Sequence, residues 1–157
     1  MSSADPTVER RPAGKTSRVL FSAIAVLSLA GVLVSALSLA RHYAKSATAY
    51  CDFGQKFNCD IVNRSEYSEV IGIPVAGIGM VGYAVLLIYS TFYRSRAETP
   101  FRLLLASVAG LVFALYLTYV EGYILMTWCI LCLTSLALVF LISLLAGAVK
   151  LLVAKTS

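Results

Sequence analysis

A chain of 157 residues has the length of one domain, but 59% hydrophobic content with only 13% charge is not the make-up of a soluble globule. The net charge of +5 raises the question of a nucleic-acid partner. The basic residues instead flank long uncharged runs, which leaves no basic patch for nucleic acid.

Four such runs stand out, at 19–40, 70–93, 103–120 and 122–149, each of 18 residues or more. Crossing a bilayer core of about 30 Å takes about 20 helical residues at about 1.5 Å each. The expected fold is therefore an all-α integral membrane protein. It is a four-transmembrane-helix bundle with spans near 19–40, 72–93, 102–121 and 127–149, and a short amphipathic helix in its outer loop. Residues 18–150 would form this membrane domain, flanked by tails at 1–17 and 151–157.

Residues 1–17 are polar and basic, with two prolines and no apolar period, as a disordered cytoplasmic tail would be. The first span exceeds the roughly 7–15 apolar residues of a signal-peptide core, which favours a retained helix. His42, the only histidine, follows it in an interfacial strip and is expected to be solvated. The outer loop then holds Cys51 and Cys59, separated by seven residues that include Gly54, a spacing able to close a disulfide-bonded turn. Charge interleaved with Ile61, Val62, Tyr67 and Val70 points to an amphipathic helix over 60–70, with Asp60 or Asn63 as its N-cap. The second span opens at Gly72-Ile73-Pro74, with proline suited to a first helical turn. Small residues at Gly72, Ala76 and Gly79 offer a close-packing face. The third span ends near Glu121, which is expected at the outer interface and solvated, with proton delivery as the alternative, and Trp128 falls in the aromatic belt.

Arg10, Arg11, Lys15 and Arg18 precede the first span, Arg94, Arg96 and Arg102 separate the second from the third, and Lys150 and Lys155 follow the fourth. The positive-inside rule then makes both termini cytoplasmic and places the 41–69 loop outside. Cys129-Ile130-Leu131-Cys132 begins the fourth span, so all four cysteines share the outer face, the oxidising side of a bacterial plasma membrane or of the endoplasmic reticulum. Thiols at i and i+3 share one helix face. A disulfide across so short a loop stabilises little, which favours exchange chemistry over two static disulfides. A metal site is disfavoured because no further ligands accompany the thiols.

These residues resemble the vitamin K epoxide reductase family over nearly all of 19–150. The likeness rests on Cys51 with Cys59, then Val62, Ser65, Tyr67, Ser68, Val70, Gly72-Ile73-Pro74, Gly79, Gly82, Tyr83, Tyr116-Leu117, Glu121 and Trp128-Cys129-Ile130-Leu131-Cys132. The glycine-rich turn is similar to the bacterial branch. The resemblance implies a bundle holding a quinone of ubiquinone, menaquinone or phylloquinone type beside the membrane-embedded pair. In that reading Cys51 meets the protein partner, Cys59 exchanges with Cys129, Cys132 faces the quinone and Ser65 supplies a hydroxyl near it. Many bacterial members carry a thioredoxin-like domain after the fourth span. None follows here, so a separate thioredoxin-fold partner is implied. Members that act on the epoxide have a tyrosine where this chain has Leu136, which favours quinone as the acceptor.

Overall fold

The computed structural model describes residues 14–44, 54 and 56–156. The expected tail before Gly14 and the loop cysteine Cys51 lie outside the described residues. Four apolar helices carry the fold: α1 (Lys15–Tyr43), α3 (Val75–Thr91), α4 (Thr99–Tyr119) and α5 (Ile130–Thr156), with the five-residue α2 (Cys59–Asn63) between the first two. Helix α1 packs along α3 and α5, α4 packs along α5, and α3 touches α4 more lightly.

Much of the buried face of α1 is small, and its outer face is apolar. Helix α1 buries Ser28, Gly31, Ser35 and Ser38 while exposing Val26, Leu29, Leu33 and Leu37. Small inward residues let backbones approach closely, and outward leucines suit lipid rather than water. At Gly31 the approach is extreme: a β-carbon there would lie 2.3 Å from Cδ1 of Tyr83. Phe21, Leu103 and Val149 share one buried cluster, so the start of α1, the start of α4 and the end of α5 meet at one end of the bundle. Lys150 Nζ lies 5.2 Å from the Phe101 ring centroid at that same end. Cys59, Val62 and Cys129 form a separate cluster.

Among the described residues, Lys15–Tyr43, Thr99–Leu125 and Ile130–Lys155 are long and apolar enough to cross a membrane. Helix α3, at 17 residues, spans only about 26 Å at about 1.5 Å per residue. It starts later than expected because Gly72-Ile73-Pro74 is not its first turn. Strand β1 (Glu69–Val70) pairs antiparallel with β2 (Ile73–Pro74) in the register Glu69 to Pro74 and Val70 to Ile73. Ile71 and Gly72 form the turn with φ of 55° and 75°, the left-handed pair that a two-residue hairpin requires. Pro74 is thus the residue before the helix.

The amphipathic helix expected over 60–70 is also shorter. It stops at Asn63, and Glu66–Ser68 forms a separate 3-10 turn. Its cap is Asn58, whose Oδ1 accepts the N–H groups of Asp60 and Ile61 at 3.0 and 3.1 Å; neither Asp60 nor Asn63 caps it. At the other end of the chain, α4 continues through a π-helical turn, Val120–Leu125, that stops at left-handed Met126. Residues 127–129 are not helical, so α5 begins at Ile130 rather than 127, and it absorbs most of the expected tail by running through Thr156.

Candidate active site

The non-helical segment before α5 does specific work, because the loop that leads into Cys59 pairs with it. Phe57 and Trp128 form a parallel β-bridge. Asn58 N–H donates to the Trp128 carbonyl at 3.1 Å, and Trp128 N–H donates to the Lys56 carbonyl at 2.8 Å. The next residue on each strand is a turn into a helix, which brings Cys59 and Cys129 into one cluster at 1% and 0% exposure.

Cys129 stands at the N-cap of α5. Its carbonyl accepts the Leu133 N–H at 3.0 Å, and its Sγ accepts the Cys132 N–H at 3.4 Å, as a capping side chain would. A sulfur at a helix N-terminus that faces N–H donors is favoured as the thiolate. Cys129 lies just before the spanning helix, and hydrogen bonding with the Cys132 thiol holds its own thiol below the usual range although burial opposes this. Both Cys129 and Cys132 are free thiols, whereas Cys59 is disulfide-bonded.

Two side chains fix this geometry. Buried Asn63 donates from Nδ2 to the Cys59 carbonyl at 2.9 Å and approaches Cys129 Sγ at 3.8 Å, so one amide touches both cysteines. Glu121 is buried at 2% exposure, against the expectation of a solvated carboxylate. The π-helical turn aims it inward, where its Oε2 accepts the Cys129 N–H at 3.1 Å. Gly122 lets the Trp128 indole close over this turn, since a β-carbon there would meet Cη2 at 3.0 Å.

Cys132, half-buried, opens onto a cavity of about 420 Å³. Phe113, Leu117 and Val139 are among its apolar walls, and Glu121, Ser135 and Tyr83 line it near the cysteine. Tyr83 O–H donates to the Ser135 carbonyl at 2.7 Å, joining α3 to α5 one turn beyond Cys132. Asn63, Ser65, Ser68 and His42 also line the cavity. Ser65 Oγ donates to the Val62 carbonyl at 2.8 Å, and Ser68 Oγ to the Ser65 carbonyl at 2.7 Å. His42 is not simply solvated: its Nδ1 is 2.6 Å from the Asn63 carbonyl and its Nε2 is 3.1 Å from Glu69 Oε1. A pocket of this size, mostly apolar with a few convergent polar groups, suits a small planar ligand.

The model of the Vitamin K epoxide reductase family matches residues 22–146, most of the chain. The chain belongs to the vitamin K epoxide reductase family. Membership, with three apolar helices of spanning length, makes it an integral membrane oxidoreductase that couples thiol chemistry to a quinone. An apolar cavity bordered by the Cys132 side chain has the character that such a family member needs for a quinone ring.

Of the residues singled out by sequence, Cys59, Cys129, Cys132 and Ser65 gather around this cavity and its threshold, while Cys51 lies outside the described residues. Asn63 entered the sequence reading only as a cap. A signal was present, since four residues after Cys59 on a helix is the same face as the thiol.

Proposed function

We propose that the protein oxidises dithiols of an exported thioredoxin-fold partner and delivers the electrons through Cys51/Cys59, then Cys129/Cys132, to a membrane quinone. The observation that carries this reading is one cluster holding Cys59 against Cys129 while Cys132 opens onto an apolar cavity. Cys51 is the proposed other half of the Cys59 disulfide, because the two remaining cysteines are free.

Each step is thiolate attack through a mixed disulfide. The partner reduces the loop at Cys51, the Cys59 thiol gives up its proton and attacks Cys129, and Cys132 leaves at the cavity as a thiolate that takes up a proton. Cys51 then attacks Cys59 and frees Cys129. With the loop oxidised and the pair reduced, the enzyme would stand just before quinone reduction. A quinone supplies the two-electron acceptor; Ser65 would turn its hydroxyl from the Val62 carbonyl toward a quinone oxygen, and the cavity walls would keep water out.

In this reading the membrane domain spans about 18–150 and crosses four times, α3 being completed at its N-terminal end by the β1–β2 hairpin. The basic ends of α1, α4 and α5 face the cytoplasm of a bacterial cell, and the cysteines face the periplasm. Leu136 favours quinone over vitamin K epoxide as acceptor. The short loop between Cys129 and Cys132 disfavours a non-enzymatic protein held by two static disulfides, since closing so few residues stabilises little.

The test is turnover in lipid nanodiscs with a reduced thioredoxin-fold protein and a short-chain ubiquinone. One quinone is expected to be lost for every two partner thiols oxidised. Cys132→Ala is expected to abolish quinone reduction while the loop still exchanges with the partner. If no cysteine changes state under these conditions, the enzyme reading fails.

A further inference from the structure

We propose that Glu121 is the acid–base residue of the quinone step, taking the proton of Cys132 and passing it to a quinone oxygen. The inference deepens the proposed function and rests on it.

Three observations converge on this carboxyl. It is buried at 2% exposure and lines the same cavity as Cys132. It accepts the Cys129 N–H at 3.1 Å, three residues before Cys132, whose side chain borders the same cavity. It sits in a π-helical turn, a local departure from the α-helix that aims the side chain inward and that recurs at functional sites.

A purely structural cap explains less. Burying a carboxylate is costly unless it is paired with a base or heavily hydrogen-bonded. The ion pairs among the described residues are His42–Glu69 and Glu98–Arg102, so Glu121 has no basic partner there. A neutral amide would cap the Cys129 N–H without that cost. A carboxyl that alternates between charged and neutral forms beside a thiol is what proton transfer requires.

The step balances as follows. The Cys129 and Cys132 thiols lose two electrons and two protons and become one disulfide, and the quinone gains both and leaves as the hydroquinone. As Cys132 Sγ reacts, its S–H bond breaks and the proton moves to the Glu121 carboxylate. The O–H bond so formed breaks in turn when the proton passes to a quinone oxygen. Glu121 ends as it began, and the second proton of the hydroquinone is that of the Cys129 thiol.

The experiment compares wild type, Glu121→Gln and Glu121→Asp in nanodiscs with the same partner and short-chain ubiquinone. Glu121→Gln keeps an acceptor for the Cys129 N–H but cannot carry a proton. It is expected to hold the quinone KM within about twofold and to lower kcat by about 10²–10⁴-fold, with Glu121→Asp recovering part of the loss. Equal kcat in Glu121→Gln and wild type overturns the proton role while leaving the proposed function intact. A wild type that reduces no quinone removes the functional reading and this role together. If Glu121→Gln does not accumulate, infrared difference spectra of the wild type decide. Oxidation of the reduced pair by quinone is expected to change a carboxyl C=O stretching band, and an unchanged carboxyl region overturns the proposal.

Discussion

Asn63 spends one amide on two cysteines, so its removal affects them together. Asn63→Ala takes from the buried Cys59 carbonyl its 2.9 Å side-chain donor and leaves Cys129 Sγ one polar neighbour fewer, beside the Cys132 N–H. An unmet buried polar group costs about 1–3 kcal/mol. We expect exchange between the loop and the pair to slow by about tenfold or more in single-turnover trapping, with quinone affinity unchanged. Ser65→Ala is a milder change, since the lost hydroxyl bond is worth about 0.5–1.5 kcal/mol. A rise of no more than about tenfold in quinone KM, with internal disulfide exchange intact, is the expected result; unchanged kinetics would remove Ser65 from the site. Cys59, Cys129, Cys132 and Ser65, which gather at the cavity and its threshold, stand out in the sequence because residue type and spacing carry their chemistry; Cys51 lies outside the described residues. The state of Glu121 was not legible, because a carboxyl near the end of an apolar run reads as solvated, and only an irregular turn with no clear sequence signature buries it.

At the scale of elements, the tightest constraint is the contact between α1 and α3. A methyl at Gly31 would fall 2.3–2.5 Å from three carbons of the Tyr83 ring, whereas a methyl at Gly77 meets nothing within 4 Å. Overpacking of this kind costs about 1–3 kcal/mol. Gly31→Ala is therefore expected to lower Tm and, by displacing Tyr83 from Ser135, to raise quinone KM. Gly77→Ala should match wild type in both. Equal Tm for the two variants would show that the helices adjust freely. The long helices were legible from uncharged runs, since lipid-facing helices have no need of a polar stripe. The start of α3 was not: proline is as compatible with the end of a hairpin strand as with a first helical turn. The hairpin depends on Ile71 and Gly72 both accepting positive φ, and only the glycine announces that in the sequence.

For the whole molecule, Phe21, Leu103 and Val149 belong to one buried cluster and Cys59 with Cys129 to another. Reporter fusions are expected to place Gly54 outside and Ala97 inside; both on one side would overturn the four-crossing topology. The order of the relay is open to trapping as well. Cys51→Ser removes the resolving thiol, so a Cys59–Cys129 mixed disulfide is expected to accumulate on cycling and to appear in peptide maps made without reductant. A Cys51–Cys129 bond in Cys59→Ser, with nothing trapped in Cys51→Ser, would reverse the order.

The bridge between Phe57 and Trp128 ties the redox loop to the threshold of α5 by two backbone hydrogen bonds. Tethering makes the second encounter unimolecular, with an effective concentration in the millimolar range or above. In the proposed relay, the delivery of electrons by the partner would depend on its abundance, but their transfer from loop to pair would not. Diluting the enzyme and the proposed partner together would therefore starve the first step alone, and exchange between loop and pair would keep a rate that the molecule sets for itself.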